Sequence, residues 1–417
     1  MFNSIHMKNK RLIFGLLTLL LLNVFLSCEK DGLRTIEYPI DSFDPVPVVK
    51  THDQTVFMHY MPWFETKESN DGTWGSHWTM ANQNPDIIDA EGNRQIASHY
   101  YPLIGPYHSG DKSVIEYHLL LMKYAGIDGV LIDWYGTFDV NDYKVNLENT
   151  EALIELIDKV GLKFAIVYED RTLNPVVDAG AAGSVENAAR IDMQYLQNNY
   201  FNHPSYYFVE GKPLLLVFGP DRLKSEQEWT NVFSNLNPKP SFLPLAGLSS
   251  SVGNTRSGEF AWIFDGVQSK EDAWYQNIHD IEIPMGSAYP GFHDFYNEGG
   301  YGDSFFFMDH NNGVTLDSKL QRVKNANLDL VQLVTWNDFG EGTILEPTKE
   351  FGFSYLEKIR DFNEVTSGSN NTFQNIFDLY TKRVENPNDL KFQSQLDQAF
   401  YYFVSMQTDK ALEELYK

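Results

Sequence analysis

Two carboxylic acids near the C-terminus, Asp338 and Glu341, lie three residues apart and resemble the acid pair that cleaves a glycosidic bond. They lie in the turn-like segment 336–343, which directly follows the apolar run 330–335. In this chemistry one acid protonates the leaving oxygen while a second carboxylate supports the attack. The alternative is structural: Asp338 would cap a turn, where aspartate is common, and Glu341 would be solvated.

Upstream, apolar strand-like runs alternate with amphipathic helical stretches. Helices are predicted at 115–124, 150–160, 185–198, 316–325 and 353–362. Strands are predicted at 56–60, 129–134, 163–168, 213–218, 242–248, 261–264, 283–289 and 330–335. Near-continuous apolar strands separated by helices are typical of a parallel sheet that is covered on both faces.

Eight such strands predict an α/β fold with a single (β/α)8 TIM barrel and long βα loops. The barrel is expected at residues 51–365, and C-terminal helices packed on the barrel are expected at 366–417. A doubly wound open sheet is the alternative, but no Gly-x-Gly-x-x-Gly motif follows the first strand.

Active sites of such barrels lie at the C-terminal ends of the strands, and acids and aromatics gather there in this sequence. The candidate site residues are His59, Tyr60, Trp63, Asp133, Trp134, Tyr135, Glu169, Tyr289, His293, Trp336, Asn337, Asp338 and Glu341. Singly, each could be structural: Asp133 could cap a helix, and Trp134 could pack beneath a loop. Together they predict an acidic, aromatic-lined pocket for a neutral, polyhydroxylated ligand.

Charge and motifs exclude several other functions. The formal net charge of −25 disfavours nucleic acid and anionic lipid headgroups as partners. No His-Glu-x-x-His motif occurs and the 11 histidines show no metal-ligand spacing, so we expect no metal and no cofactor. The sequence also lacks a Gly-x-Ser-x-Gly elbow and a Gly-x-x-x-x-Gly-Lys phosphate loop.

The N-terminus resembles a bacterial lipoprotein signal. A basic region at 8–11 precedes the apolar residues 12–26, which are too few for a membrane-spanning helix, and Cys28 follows. The pattern predicts a signal peptide at 1–27, acylation of Cys28 and a tether at 28–50. Ordinary cleavage beside an incidental cysteine is the alternative. Loss of 1–27, which holds three basic residues and no acid, would take the formal net charge from −25 to −28.

Four stretches of the chain resemble glycoside hydrolase families 71 and 99. They are Met-His-Tyr-Met-Pro-Trp at 58–63, Gly-Ile-Asp-Gly-Val-Leu-Ile-Asp-Trp-Tyr-Gly at 126–136, Tyr-Pro-Gly-Phe at 289–292 and Trp-Asn-Asp at 336–338. The resemblance extends from about residue 56 to residue 362. It implies a (β/α)8 barrel that acts on α-linked glycans: endo-acting α-mannosidases and mannanases in family 99, and α-1,3-glucanases in family 71.

Position 338 separates the two families. Family 99 typically has Trp-Asn-Glu here, with a second Glu three residues later, whereas an Asp and a Glu at this spacing are similar to family 71. Residues 342–343 (Gly-Thr) and 346–347 (Glu-Pro) are similar to family 99. The chain therefore resembles the combined 71/99 group, with a family 71-like Asp in a motif that is otherwise similar to family 99.

The resemblance also implies roles: Glu341 is the general acid, Asp338 the base, and Asp133 and Glu169 bind sugar or tune the pKa values. In family 99 the base is thought to act on the substrate 2-hydroxyl and to give a 1,2-anhydro sugar that water opens. Asp places its carboxylate roughly 1.5 Å further back than Glu, and a displacement of that size can cost about 100-fold in rate. Either the pocket has moved to match, or Asp338 activates water directly and the reaction inverts.

These observations predict a glycoside hydrolase that cleaves internal α-glycosidic bonds of a neutral glycan such as α-mannan or the mannosides of N-glycans. An α-1,3-glucanase-like hydrolase is one alternative. Another is a non-catalytic, glycan-binding surface lipoprotein on the same barrel, in which Asp338 marks lost activity. We expect a monomer, exported to the outer membrane, cell surface or periplasm, with an oligosaccharide or polysaccharide partner, no nucleic acid and membrane contact only through a lipid on Cys28.

Overall fold

The computed structural model describes residues 39–265, 268–368 and 371–417. Residues 40–417 form one compact unit. The predicted signal peptide at 1–27, the predicted acylation site Cys28 and the tether as far as residue 38 lie outside the described residues. In the ranges that are described, no helix is long and apolar enough to span a membrane.

Eleven strands occur in the described part of the chain. They are β1 Thr55–Tyr60, β2 Gly129–Trp134, β3 Lys163–Tyr168, β4 Phe208–Val209, β5 Lys212–Val217, β6 Ser241–Pro244, β7 Gly258–Phe260, β8 Ile283–Ala288, β9 Phe292–His293, β10 Phe307–Met308 and β11 Leu330–Leu333. Eight of these strands run parallel in one curled sheet, in the order β6-β5-β3-β2-β1-β11-β8-β7. Strand β4 adds an antiparallel edge to β5, and β9 pairs with β10 separately.

The two end strands of the curled sheet, β6 and β7, meet each other. A parallel bridge joins Leu245 to Phe260 directly after β6. The N–H of Ser257 donates to the carbonyl of Phe242 at 2.8 Å, and the N–H of Ala246 donates to the carbonyl of Phe260 at 2.8 Å. The architecture is therefore that of a TIM-barrel-like, curled parallel sheet whose ends approach.

Helices cover the sheet and connect its strands. They are α1 Ser76–Thr79, α2 Lys112–Tyr124, α3 Tyr143–Val160, α4 Leu173–Asp178, α5 Val185–Asn199, α6 Glu226–Val232, α7 Gln268–Gln276, α8 Tyr296–Gly299, α9 Val314–Ala326, α10 Ser354–Phe362, α11 Thr372–Glu385, α12 Leu390–Val404 and α13 Thr408–Leu415. Short 3-10 helices lie at Asp170–Thr172, Ser249–Thr255, Ile278–Asp280 and Asn311–Gly313.

Local sequence signals set where these helices begin and end. The Asp111 carboxylate caps α2 by accepting from the N–H groups of Ser113 at 2.7 Å and Val114 at 3.2 Å. Helix α3 ends at Gly161, whose φ of 83° lies in the left-handed region that glycine adopts without steric cost. Asp111 thus marks the start of α2, and Gly161 turns the chain from α3 into β3.

All five predicted helices are confirmed, as are seven of the eight predicted strands. Strands β2 and β3 match to the residue and the other five have shifted ends; β6 already stops at Pro244, short of 248. The predicted strand at 261–264 is wrong, because β7 lies three residues earlier and Phe260 is its last residue paired with β8. The apolar run belongs to the following loop. There Trp262 packs edge-on against His59 and Phe218, with ring centroids 4.7 and 4.8 Å away.

The C-terminal helices α11 and α12 pack against α2. Arg383 on α11 pairs with the buried Glu116 of α2 at 3.1 Å. The Tyr124 hydroxyl at the end of α2 donates to the carbonyl of Phe403 on α12 at 3.0 Å. The division between a barrel at 51–365 and packed helices at 366–417 stays a prediction.

Candidate active site

The turn that follows β11 carries both acids and is tied to the end of β1. The N–H of Trp336 donates to the carbonyl of His59 at 2.6 Å. The N–H of Asp338 donates to Thr335 Oγ1 at 2.8 Å, and Asp338 Oδ1 accepts from the N–H of Glu341 at 2.9 Å. Asp338 therefore caps the turn, as the structural interpretation expected. Its side chain is nevertheless buried, and Glu341 is half-buried rather than fully solvated.

Asn337 fixes this turn from inside the protein. Its Oδ1 accepts from the N–H of Met61 at 2.8 Å, and its Nδ2 donates to the carbonyl of Met61 at 2.9 Å and to Tyr107 Oη at 3.0 Å. The amide of Asn337 is wholly buried. Its donor and acceptor are thus occupied by protein groups, which anchor the turn to the loop after β1.

Burial raises the pKa of both acids, and other neighbours separate the two values. Burial raises the pKa of Asp338 to about 6, against the opposing effect of the hydrogen bond from the Glu341 backbone. Burial raises the pKa of Glu341 to about 8, and the negative charge of Asp338 adds to the rise. Tyr296 Oη donates to Glu341 Oε1 at 3.0 Å, which lowers the pKa of Glu341 in part. At neutral pH one group is then mainly a carboxylate and the other mainly an acid.

A second acidic pair lies at the neighbouring ends of β2 and β3. Arg171 holds Glu169 in a two-point contact, with Nε 2.6 Å from Oε2 and a terminal nitrogen 2.9 Å from Oε1. Burial raises the pKa of Glu169 to about 7, although Arg171 opposes the rise. Burial and the charge of Glu169 raise the pKa of Asp133 well above its usual range, and Asp338 contributes as well. The structure thus brings Asp133, Glu169 and Asp338 into one electrostatic group.

Aromatic side chains form one wall of the site. Trp63 stacks on His77 with ring centroids 4.2 Å apart and an angle of 6°, and Tyr135 lies 6.2 Å from Trp63. His77 Nε2 is 3.2 Å from Asp142 Oδ2, which fixes the imidazole. A cleft of about 620 Å³ continues from this wall and is bordered by His77, Tyr135 and Arg171. Its lining combines flat aromatic faces with hydrogen-bonding groups, which suits a sugar.

Besides Asn337, five of the predicted site residues lie wholly buried: His59, Tyr60, Trp134, Tyr289 and Trp336. Burial lowers the pKa of His59 to about 4, and its Nδ1 is 3.1 Å from Gln332 Oε1. Trp134 packs against Tyr168 of β3 and against Tyr195 and Tyr200 of α5 and its C-terminal end, rather than beneath a loop. His293 instead is partly exposed and stacks on His99 with ring centroids 3.6 Å apart. Substrate contact by any of these residues stays a prediction.

Sequence reasoning missed three residues of the site: His77, Arg171 and Tyr296. Arg171 lies two positions after Glu169, so the rule of reading strand ends could have found it. His77 and Tyr296 lie on the short helices α1 and α8, outside the strand ends that were read as site positions. Only the tertiary structure brings Tyr296 to Glu341, so no local signal marks it.

Comparison with known proteins confirms the resemblance to family 99. Residues 51–239 match the model of glycosyl hydrolase family 99. A zebrafish (Danio rerio) "glycoprotein endo-alpha-1,2-mannosidase-like protein" is 23% identical over 300 residues, which cover 63% of each chain. A rat (Rattus norvegicus) "glycoprotein endo-alpha-1,2-mannosidase" is 25% identical over 215 residues, or 49% of this chain and 41% of the relative. The chain thus spans less than two thirds of the length of these relatives.

Solved structures show the same fold. The GH99 endo-alpha-mannosidase from Bacteroides thetaiotaomicron aligns with a TM-score of 0.59 at 20% identity and covers 75% of this chain and 97% of that one. A "glycoside hydrolase-like protein" aligns with a TM-score of 0.55 at 14% identity and covers 77% of this chain and 97% of that one. At such identities the likeness concerns the TIM-barrel-like fold.

Proposed function

We propose that this family 99-like chain is a glycosidase that cleaves internal α-mannosidic bonds of a neutral glycan, with Glu341 as general acid and Asp338 as base. The observation that carries the proposal is the placement of a buried Asp338 and a half-buried Glu341 in one turn at the C-terminal edge of the sheet, with their ionisation split around neutral pH. The names of the matched relatives support α-linked mannose as the sugar.

The geometry supports a division of labour. Protonated Glu341 gives its proton to the glycosidic oxygen as the bond breaks, and the hydrogen bond from Tyr296 Oη stabilises the carboxylate that remains. Asp338 Oδ1 is held by the Glu341 N–H, so we assign Oδ2 as the atom that accepts a proton. The proton comes either from the substrate 2-hydroxyl or from the attacking water.

The configuration of the first product separates these two routes. Opening of a 1,2-anhydro sugar by water gives net retention, whereas direct attack by water gives inversion. Proton NMR of the first-formed anomer, recorded before mutarotation, distinguishes them. Retention assigns Asp338 to the 2-hydroxyl, and inversion assigns it to water.

Release of reducing ends tests the activity itself. Purified protein is incubated with α-mannan and, in parallel, with α-1,3-glucan, and new reducing ends are counted while glycan binding is measured by affinity electrophoresis. We expect internal cuts in α-mannan. Release from the glucan alone would favour the α-1,3-glucanase alternative. Binding without release from either glycan would favour the non-catalytic lipoprotein and contradict the proposal.

We further propose that the curled sheet closes into a full barrel through β6 and β7. The bridge from Leu245 to Phe260 and the hydrogen bond from the Ala246 N–H support it. Slow amide exchange at Ala246 and Ser257 is expected, and exchange at the rate of an open edge strand would contradict closure.

Export as a lipoprotein acylated on Cys28 is a separate proposal, which rests on the basic and apolar residues 8–26. Cells fed a labelled fatty acid should incorporate it into the wild type and not into Cys28→Ser. Equal labelling of the two proteins, or none of the wild type, would rule the proposal out.

A further inference from the structure

Three large aromatic side chains lie exposed beside the acid pair. Tyr301, Phe305 and Phe307 are 56%, 69% and 62% exposed. We call these three side chains the aromatic platform. A group of large exposed aromatics on one segment commonly marks a binding surface, because water-exposed apolar area is costly.

Backbone pairing holds this segment in place. Strand β10 pairs antiparallel with β9, so Phe307 lies opposite His293. Side chains alternate in direction along an extended segment. Phe306 accordingly points inward and stacks on Phe292 with centroids 4.1 Å apart, while its two neighbours point outward. The buried Asp294 also accepts from the N–H of Phe305 at 2.9 Å.

The aromatic platform is directly connected to the general acid. Phe305 packs edge-on against Tyr296 with centroids 5.4 Å apart, and Tyr296 Oη donates to Glu341 at 3.0 Å. Phe307 packs edge-on against His293 at 4.9 Å, and the N–H of His293 donates to the Glu341 carbonyl at 2.9 Å. One residue therefore lies between each of these phenylalanines and Glu341. It is Tyr296 for Phe305 and His293 for Phe307.

We propose that the aromatic platform binds the leaving-group portion of a neutral glycan, with sugar rings placing their C–H faces on Phe305 and Phe307. This inference rests on the proposed function. A general acid protonates the oxygen of the leaving group, so the residues beside Glu341 face the leaving-group portion of the glycan. The formal net charge of −25 disfavours an anionic occupant, and the flat faces of exposed aromatic rings suit the C–H faces of neutral sugars.

The test compares two substrates with the same non-reducing part. One is an α-linked manno-oligosaccharide with at least two sugars on the leaving side, and the other is a glycosyl fluoride, whose leaving group cannot reach the aromatic platform. The double variant Phe305→Ala/Phe307→Ala should lose about tenfold in kcat/KM on the oligosaccharide, or about 1.4 kcal/mol. It should stay within about twofold of the wild type on the fluoride.

Phe208→Ala is the matched control. Phe208 is 40% exposed and lies on β4, where it pairs with Pro213 near the start of β5. This variant should match the wild type on both substrates. Equal losses of the double variant on the two substrates, or no loss on either, would overturn the proposal.

Binding separates this inference from the proposed activity. The affinity of both proteins for the manno-oligosaccharide is measured by calorimetry, whether or not the wild type cleaves it. Weaker binding by the double variant upholds the aromatic platform even if the wild type proves inactive. Equal binding by the two proteins, or none by the wild type, overturns it.

Discussion

Tyr296 opposes the rise that burial and the charge of Asp338 cause in the pKa of Glu341, the residue that we assign as general acid. The Tyr296 hydroxyl stabilises the charged form of Glu341 and so lowers the pKa of that carboxyl. The activity of the wild type should rise through about pH 6, where Asp338 loses its proton, and fall through about pH 8, where Glu341 loses its own.

Removal of that hydroxyl should move only one side of the pH profile. In Tyr296→Phe the pKa of Glu341 rises, so the alkaline limb of kcat/KM moves to higher pH while the acidic limb stays. Activity at the optimum falls roughly tenfold, as expected for a lost hydrogen bond to a charged group. Tyr416→Phe, whose hydroxyl contacts the distant Asp378, is the control. An alkaline limb that stays in place, or moves to lower pH, would show that Tyr296 does not tune Glu341.

The sequence allowed individual site residues to be predicted where they directly follow a strand pattern. Asp338 and Glu341 follow an apolar strand, so they could be chosen as acids without a structure. Their division into acid and base could not be derived from spacing, because it depends on burial and on the charge of Asp338, which together raise the pKa of Glu341 despite the opposing hydrogen bond from Tyr296. The buried Asn337 shows the same limit, since its contacts with Met61 are invisible in the sequence.

Asn337 anchors the turn that follows β11 to the loop after β1. Asn337→Ala removes the hydrogen bonds to Met61 and leaves that buried N–H and carbonyl without partners. We expect a loss of about 1–3 kcal/mol in the free energy of unfolding, and a lower turnover because the acids shift. Thermal unfolding and kinetics measure both effects.

Asn325→Ala on the exposed face of α9 provides the matched control and should leave Tm and turnover unchanged. If Asn337→Ala also kept the wild-type Tm, the turn would not depend on this amide.

Strands β2 and β3 were predictable to the residue because burial on both faces of a parallel sheet makes their sequences continuously apolar. Strand β7 was misplaced, since it has only three residues and includes Glu259. The β9–β10 pair was not predicted at all. Its position depends on distant contacts, such as Asp294 with the backbone of Phe305.

The whole molecule carries several buried acids whose protonated forms are favoured by folding. Burial raises the pKa values of Asp192 and Asp338 to about 6, of Glu169 to about 7 and of Glu341 to about 8. The pKa values of these acids are higher in the folded protein than in the unfolded chain. Their protonated forms therefore stabilise the fold fully below about pH 4, which is near their pKa in the unfolded chain. This stabilisation is lost as the pH rises through 6 to 8.

Tm should therefore decrease between pH 5 and pH 8.5, and the growing negative charge acts in the same direction. Calorimetry across this range measures the slope. Glu341→Gln cannot release a proton, so its Tm should decrease less and exceed that of the wild type by roughly 2–4 °C at pH 8.5. A wild-type Tm that increases over this interval would contradict the assigned pKa directions.

The central claim is that Asp338 and Glu341 form the catalytic pair of an α-mannan-cleaving enzyme, and Glu341→Gln tests it most directly. Turnover and oligosaccharide affinity are measured for this variant, for the wild type and for Glu282→Gln, an exposed glutamate outside the site. We expect Glu341→Gln to lose at least about 100-fold in turnover and to bind within about twofold of the wild type, while Glu282→Gln matches the wild type. Cleavage by Glu341→Gln at the wild-type rate would contradict the claim.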